Sequence, residues 1–149
     1  MLKLSLDEYK SKRNFGKTAE PEAAKRNGAG DVYVIQKHDA SHLHYDLRVD
    51  MEGVLKSWAI PKEPPLIEGV KRLAVQVEDH PLSYAGFEGT IPEGEYGAGT
   101  VKIWDQGTYK TLDRKEDKLV IHISGQRLSG EYVLVRLKDN KNWLFFKKK

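Results

Sequence analysis

The run His42-Leu-His-Tyr-Asp-Leu-Arg-Val-Asp50, followed by Met51-Glu-Gly53 and Val54–Ile60, decides the fold of this chain. Its first nine residues alternate strictly between polar and apolar side chains, which is typical of a β-strand with one buried face. Met51-Glu-Gly53 has the composition of a tight turn, so a second strand is predicted to return over Val54–Ile60. Three prolines then end that strand, namely Pro61, Pro64 and Pro65. The sequence therefore predicts an antiparallel hairpin at this point.

Further strand-like segments lie on both sides of the hairpin. Each is short and bounded by turn residues: Val32–Ile35, Arg72–Asp79, Thr100–Trp104, Lys118–Ser124, Gly130–Leu137 and Asn142–Lys147. A long loop rich in glycine and proline is predicted between Gly86 and Gly99, and no stretch between the strands shows a convincing 3.6-residue period. About eight short strands with hairpin connections predict a mainly β protein, a compact antiparallel β barrel over residues 32–149.

The first 31 residues differ from the rest of the chain. Ser5-Leu-Asp-Glu8 is typical of a capping box, so a short helix is predicted through about Lys12. Residues 14–31 are polar and interrupted by glycine and proline, which predicts an irregular arm, either mobile or folded over another part of the molecule. We expect residues 1–149 to form a single domain.

The composition excludes several classes of function. The 149 residues include 25 Lys and Arg against 22 Asp and Glu, and the net charge of +3 is too small to identify a nucleic-acid partner by itself. The absence of Cys excludes disulfides, Cys-ligated zinc and thiol nucleophiles. No apolar run suits a membrane span or a signal peptide, so we expect no membrane partner and a cytoplasmic location, with a monomer as the default.

The polar face of the first hairpin strand carries the candidate chemistry. His42, His44, Asp46 and Arg48 share this face, and His38 precedes a segment where a bend could return it to the same place. Two or three imidazoles and one carboxylate suit Mn²⁺, Zn²⁺, Fe²⁺ or Co²⁺ better than Mg²⁺ or Ca²⁺. The occupied site would be positively charged and Arg48 suits phosphate, so an anionic substrate is expected. A merely solvated polar strand face is the alternative.

The segment Arg72–His80 repeats this arrangement. Arg72, Glu78 and His80 share one face, opposite Leu73, Val75 and Val77, and could line the same cavity with Tyr84 just beyond. A surface ion pair with a capping histidine explains the segment equally well.

Other polar features are ambiguous or structural. Lys62 by itself indicates neither a functional nor a structural role. His122 lies between two isoleucines, so we expect a structural role for His122. The glycines of Ile91–Gly99 could bring backbone N–H groups to a phosphate, but the segment lacks the ending of a P-loop, and a tight turn explains it equally well. The three tryptophans lie in strand segments and are predicted to be core residues: Trp58, Trp104 and Trp143.

Several long motifs, in the same order, closely resemble the 3′-phosphoesterase domain of bacterial DNA ligase D. They are Val34–Arg48, Leu55–Pro61, Val77–Tyr84, Gly86–Gly89 and Ile91–Gly99, while Lys10–Phe15 and Thr18–Pro21 resemble the N-terminal arm of that family. The resemblance implies a compact β barrel, here free-standing. It also implies that this barrel is a Mn²⁺-dependent enzyme that heals 3′ ends during end joining. Such an enzyme removes a terminal 3′ ribonucleoside to leave a 3′-phosphate, and then removes the phosphate to leave a 3′-OH.

The resemblance also implies roles for particular residues. His38, His44 and Asp46 match the metal ligands of the family, whereas His42 is not carried over. Six residues match catalytic positions: Arg13, Glu20, Arg48, Glu78, His80 and Tyr84. Four match positions that hold phosphate: Arg48, Lys62, Arg72 and His80. Asn14 stands where the family usually has Asp, and the lost negative charge is expected to weaken one activity, phosphodiester cleavage rather than phosphate removal.

The hypothesis that follows is a metal-dependent 3′-end phosphoesterase with Mn²⁺, replaceable by Co²⁺ or Zn²⁺, acting on DNA or RNA/DNA primer–template ends. Separate ligase and polymerase subunits are expected partners. One alternative is a non-catalytic end-binding module that docks to those subunits, although the intact histidines and arginine argue against it. A small-molecule metalloenzyme of cupin type is the other alternative, and the basic residues make phosphate the better substrate.

Overall fold

The computed structural model describes residues 6–18, 20 and 31–149 of the chain. These residues form one short helix, α1 (Asp7–Ser11), and a 3₁₀ helix, Leu82–Gly86. Nine strands complete the fold: β1 (Val32–Asp39), β2 (Leu43–Met51), β3 (Val54–Ile60), β4 (Lys71–His80), β5 (Gly89–Ile91), β6 (Gly99–Lys115), β7 (Lys118–Gly125), β8 (Ser129–Arg136) and β9 (Asn142–Lys147). None of the helices in this part of the chain is both long enough and apolar enough to span a membrane.

Eight of the strands close into an antiparallel barrel. Their order is β1-β2-β3-β4-β9-β8-β7-β6, and β6 pairs back onto β1. The 17 residues of β6 make this closure possible, because residues 100–108 pair with β1 and residues 107–115 pair with β7. The strand β5 is additional and pairs with the first residues of β6. The predicted antiparallel barrel is confirmed.

The hairpin between β2 and β3 forms as the sequence predicts. Met51 pairs with Val54, and the two turn residues between them have positive φ, 56° at Glu52 and 85° at Gly53. Positive φ at both central positions is the geometry of a type I′ turn, whose twist matches that of the strands it joins. The turn therefore sets the register in which β2 and β3 pair.

Two elements differ from the prediction. The strand predicted over Thr100–Trp104 continues to Lys115, through residues with no apolar alternation. The stretch predicted as one long loop contains the end of the 3₁₀ helix and the strand β5. In both places, pairing with a neighbouring strand or packing against the barrel outweighs weak local signals.

The barrel interior is filled by aromatic and aliphatic side chains from all sides. Tyr132 stacks on Phe145 with ring centroids 5.1 Å apart, and Trp58 meets Trp143 edge-on at 5.8 Å. Trp104 is partly buried and packs against the same cluster. Trp58 and Trp143 belong to the core and Trp104 packs against it, as predicted, and a cavity of about 710 Å³ is lined in part by Trp58 and Trp143.

A second apolar cluster lies on the outside of the barrel. It joins α1, the 3₁₀ helix and the strands β3, β5 and β6 through Tyr9, Leu55, Leu82, Tyr84, Phe87, Ile91 and Val101. The N-cap of α1 is Leu6, which makes no side-chain cap hydrogen bond, and Ser5 of the predicted capping box lies outside the described residues. Residues 19 and 21–30 of the predicted arm also lie outside them. The part of the arm that is described folds over the outer face of the barrel.

Candidate active site

The candidate site lies on the outer face of β1–β4, next to α1. Tyr45, Leu47 and Val49 of β2 belong to the interior core, so the residues that alternate with them face outward. They face a cavity of about 310 Å³. Of the eleven candidate residues from the sequence, all except Lys62 and Arg72 line this cavity.

His38, His44 and Asp46 meet at one end of the cavity. The Asp46 Oδ2 atom is 3.3 Å from His44 Nε2 and 3.6 Å from His38 Nδ1, and the three potential ligand atoms lie within 4.8 Å of one another. The pairing of β1 with β2 produces this arrangement, because His38 is directly opposite His44 in the register. The strand pairing therefore brings together two histidines and a carboxylate, as predicted.

The hydrogen bonds of the two histidines favour a metal ligand set. His44 Nδ1 lies 3.0 Å from the His42 carbonyl, and His38 Nε2 lies 2.7 Å from the Gly97 carbonyl. Because each far ring nitrogen hydrogen-bonds to a carbonyl, the near nitrogen beside Asp46 is the one left to bind a metal once it has lost its proton, which is the usual outer arrangement around a histidine-ligated metal. The residues present therefore fit a divalent transition-metal ion.

The carboxylate of Asp46 is buried and ionised. Burial acts to raise its pKa, but Arg48 and the hydrogen bonds from His38 and His44 outweigh burial and hold the pKa well below its usual value. Burial likewise acts to lower the pKa of His44, but hydrogen bonding to Asp46 raises it. The charge of Asp46 is thus available to a cation.

Arg48 is held by partners on three strands. Its Nε donates to Gln36 Oε1 at 2.7 Å and its Nη1 donates to Ser57 Oγ at 2.8 Å, while Nη2 lies 3.4 Å from Asp46 Oδ2. The guanidinium carbon also lies 4.9 Å from the centre of the Tyr84 ring. Arg48 is only 4% exposed, so its position next to the histidine–carboxylate group is fixed before any anion binds.

His80 lies between two arginines. Its Nδ1 is 3.1 Å from Arg48 Nη1 and 3.0 Å from the Glu78 carbonyl, and its Nε2 is 3.3 Å from Arg13 Nη2. Burial, together with Arg48 and Arg13, lowers the pKa of His80 well below its usual value. The ring is therefore neutral near pH 7, with Nδ1 donating to the carbonyl and Nε2 accepting from Arg13.

The arm supplies the opposite wall of the cavity. Arg13 Nε donates to Glu20 Oε2 at 2.9 Å, and its Nη1 lies 3.3 Å from Glu78 Oε2. The Tyr84 hydroxyl donates to Glu20 Oε2 at 2.6 Å, and burial raises the pKa of Tyr84, so the phenol keeps its proton. Arg13 and Glu20 thus connect the N-terminal segment to β4 and the 3₁₀ helix.

The formal charges of the cavity favour an anion only when a cation is present. Arg13 and Arg48 contribute two positive charges, and Glu20, Asp46 and Glu78 contribute three negative charges, which gives a net charge of −1 among the lining residues. A divalent cation changes this sum to +1. Attraction of a phosphate to the cavity therefore depends on metal binding.

A β-bulge in β4 changes which of its side chains reach the site. Before the bulge, Ala74 packs into the barrel core and Leu73 is 42% exposed, whereas after the bulge Glu78 and His80 line the outer cavity. The prediction that Arg72 shares one face with Glu78 and His80 is therefore wrong. The extra residue of the bulge reverses the alternation between the two halves of the strand.

Lys62 and Arg72 lie away from the cavity. Lys62 is exposed between β3 and β4, and Arg72 Nε donates to the carbonyl of Glu63 at 2.8 Å. Contact with phosphates that flank the reacting group stays a prediction for both residues.

Sequence reasoning missed two polar residues of the site, Gln36 and Ser57. Besides accepting from Arg48, Gln36 donates its amide N–H groups to the carbonyls of Tyr84 and Phe87, at 2.7 and 3.1 Å. The signal was available, because Gln36 is two residues before His38 on the same strand face and Ser57 is polar within a buried strand. His42 lines the cavity without joining the ligand group, as expected. His122 is exposed on β7, so the structural role expected for it is not confirmed.

Comparison with known proteins gives a consistent result. A family model described as the DNA Ligase D 3′-phosphoesterase domain matches residues 36–136. The curated relatives include the multifunctional non-homologous end joining protein LigD of Pseudomonas aeruginosa, 51% identical over 139 residues, which are 88% of this chain and 16% of that protein. The LigD protein of Mycobacterium tuberculosis is 46% identical over 145 residues, which are 93% of this chain and 19% of that protein. The LigD protein of Mycolicibacterium smegmatis is 43% identical over 152 residues, which are 93% of this chain and 20% of that protein. The chain thus spans a fifth or less of the length of these relatives.

Proposed function

Because this chain belongs to the DNA ligase D 3′-phosphoesterase domain family, we propose that it is a metal-dependent phosphoesterase that heals the 3′ ends of DNA or RNA/DNA strands. The observation that carries the proposal is the buried arginine Arg48, fixed 3.4 Å from the carboxylate of the His38–His44–Asp46 group. A cation and a guanidinium side by side are suited to the charge of a reacting phosphoryl group. The arm and barrel act as one domain, since both line the cavity.

His38, His44 and Asp46 would hold the metal, which we propose to be Mn²⁺, with Co²⁺ or Zn²⁺ as replacements. When bound, such a cation polarises a phosphoryl oxygen and makes a nearby water more acidic. The two imidazole nitrogens and one carboxylate oxygen suit these metals better than Mg²⁺ or Ca²⁺, which prefer oxygen ligands.

Arg48 and Arg13 would bind the phosphoryl oxygens, and His80 Nε2, which accepts from Arg13, would hold Arg13 in place. The low pKa of His80 makes it a poor proton donor near neutral pH, so we infer a hydrogen-bonding role rather than that of a general acid. The Tyr84 hydroxyl, held by Glu20, keeps its proton and can turn its donor toward a substrate oxygen.

Two hydrolyses would occur in this cavity. In the first, water adds to phosphorus and the bond between phosphorus and O5′ of the terminal nucleoside breaks, so that O5′ takes a proton and a 3′-phosphate remains. In the second, water adds to that phosphate and the bond between phosphorus and O3′ breaks, which releases inorganic phosphate and leaves a 3′-OH. Lys62 and Arg72 would contact flanking backbone phosphates, so substrate binding should weaken with salt.

Asn14 does not need a charge for its local role. Its side-chain oxygen accepts the Gly16 backbone N–H at 3.0 Å, and an aspartate could accept the same hydrogen bond. We therefore propose that any effect of Asn14 is electrostatic, and that it lowers phosphodiester cleavage relative to phosphate removal. Asn14→Asp should raise the ratio of the two rates.

The test uses two labelled primer–templates, one ending in a 3′ ribonucleotide and one in a 3′-phosphate, with Mn²⁺ or EDTA. Both ends should be converted to 3′-OH only with Mn²⁺, and His44→Ala should abolish conversion. His122→Ala is the matched control, since His122 is exposed on the far strand β7, and it should retain full activity.

Two other results have defined meanings. Binding of both ends with no conversion by the wild-type protein would refute the catalytic proposal and favour a module that docks ends to ligase and polymerase subunits. Activity confined to small phosphate esters would favour a small-molecule metalloenzyme.

A further inference from the structure

The loop between β5 and β6, residues 92–98, forms part of the cavity and has no role in the reaction described above. Tyr96 and Gly97 of this loop line the cavity, Gly97 next to His38 and Tyr96 next to Lys12 and Arg13. Of the large apolar side chains exposed in the described part of the chain, Tyr96 is the one aromatic residue, and it is 47% exposed. An open aromatic ring beside a phosphoryl-transfer site calls for a ligand with a flat face.

The loop is held in a defined conformation. The Glu95 N–H donates to the Pro92 carbonyl at 3.2 Å, and the Ala98 N–H donates to the Glu95 carbonyl at 3.1 Å. Gly97 has a φ of 76°, and its carbonyl accepts from His38 at 2.7 Å. The residue after Tyr96 is therefore tied directly to the histidine–carboxylate group, which fixes the distance between the ring and that group.

The helix α1 holds Tyr96 from another side. Lys12 Nζ donates to the Tyr96 hydroxyl at 3.3 Å and lies 4.6 Å from the ring centre, while the Arg13 guanidinium carbon lies 5.4 Å from it. These cations orient the ring, and nearly half of its surface stays open. A ring that is oriented in advance can bind a flat partner with little loss of side-chain entropy.

We propose that Tyr96 is the stacking platform for the base of the 3′-terminal nucleoside, an inference that rests on the proposed function. A phosphodiester bound beside Asp46 and Arg48 carries the leaving nucleoside on its outer side, and the cavity wall available there contains Tyr96. Every base has a π-face, so such a platform accepts all four bases. A 3′-phosphate end lacks this nucleoside, and Tyr96 therefore sets the preference between the two substrates.

The kinetic test compares Tyr96→Leu, which removes the ring, with Tyr96→Phe, which keeps it. Tyr96→Leu should lower kcat/KM on ribonucleoside ends relative to 3′-phosphate ends by about ten-fold, the scale of one lost base stack. Tyr96→Phe should keep the wild-type ratio. The matched control is Phe146→Leu, because Phe146 also lies beneath a lysine, Lys71 at 5.2 Å, but is on β9 away from the cavity.

A second measurement does not depend on turnover. With 2-aminopurine as the terminal ribonucleoside on a methylenephosphonate linkage that resists hydrolysis, and with Mn²⁺ present, its fluorescence should be quenched on binding to the wild-type protein and to Tyr96→Phe, but not to Tyr96→Leu. An unquenched probe, or an equal loss of activity on both ends in Tyr96→Leu, would overturn the proposal. Quenching without any conversion by wild-type protein would refute the enzymatic function and leave the stacking platform standing.

Discussion

Arg48, His80 and Arg13 form a row in which one neutral imidazole separates two guanidinium groups. Each guanidinium is balanced by a carboxylate: Arg48 by Asp46 of the same strand, and Arg13 by Glu20 and by Glu78 of β4. Burying unpaired charges is costly, so the row is stable only because these partners are in place. The residues of the site therefore depend on one another for position and for protonation.

The protonation of His80 predicts an acid sensitivity of the fold. In the unfolded chain, His80 has an ordinary pKa of about 6.5. In the native protein, burial and the two arginines lower its pKa, so between the two values the unfolded state binds more protons. The free energy of unfolding should therefore fall as the pH falls below about 6.5, until the native group also becomes protonated.

Between about pH 7.5 and about pH 5.5, the free energy of unfolding of the variant His80→Gln should fall by less than that of the wild-type protein, because glutamine does not titrate. Urea unfolding at both pH values measures this difference. His122→Gln, at an exposed histidine, is the control and should follow the wild-type curve. Parallel pH dependence of His80→Gln and wild type would contradict the assigned pKa shift.

Among the elements, α1 and the residues after it determine whether the cavity is complete. Tyr9 is fully buried and has its ring 5.1 Å from His80 and 6.0 Å from Tyr84, while the Arg13 guanidinium carbon lies 4.0 Å from the Tyr9 ring. One aromatic side chain on a five-residue helix thus anchors the segment that carries Arg13 and Glu20. The barrel core does not include Tyr9.

Tyr9→Ala should therefore release α1 without unfolding the barrel. The variant should lose about 3 kcal/mol of packing free energy, as when other buried aromatic residues are replaced by alanine. This loss weakens the docking of α1 onto the barrel. Trypsin should cleave after Lys12 and Arg13 faster than in the wild-type protein, while the far-ultraviolet circular dichroism of the barrel is kept. Lys10→Ala, which changes an exposed residue of the same helix, is the control. If Tyr9→Ala is cleaved by trypsin after Lys12 and Arg13 no faster than the wild-type protein, α1 is anchored by other residues.

At the scale of the whole molecule, the barrel separates stability from chemistry. Its interior holds the main apolar core, and the candidate site occupies the outer face of four strands together with the arm and the 92–98 loop. Because His38, His44 and Asp46 converge in a cavity whose lining residues carry a net charge of −1, a divalent cation should stabilise the folded protein as well as attract phosphate.

Mn²⁺ at about one hundred times its dissociation constant should stabilise the fold by about 2.7 kcal/mol. For a chain of this length, the increase in Tm is roughly 5–10 °C. Differential scanning calorimetry with Mn²⁺ and with EDTA measures the shift, which Asp46→Asn should abolish and His122→Ala should leave intact. An undiminished shift in Asp46→Asn would place the metal elsewhere.

The extent of agreement between sequence and structure depends on the range of the interactions. The β2–β3 hairpin was predictable, because alternation and turn composition are local properties. The second half of β6 was not, because Gln106–Lys115 has no apolar alternation and forms a strand only by pairing with β7 and β1. The bulge in β4 was also hidden, since nothing in Val77-Glu-Asp79 distinguishes a bulge from a regular strand.

The amino-acid sequence by itself determined the mainly β class, the first hairpin, the family and the nine candidate residues that line the cavity. Only the tertiary structure decided that the cavity lies outside the barrel, that Lys62 and Arg72 are away from it, and that Gln36 and Ser57 hold Arg48. The physical reason is that strand alternation states which side chains share a face but not which face is enclosed. That choice is made when the strands close into a barrel and the arm packs against the outside, through contacts between residues far apart in the sequence.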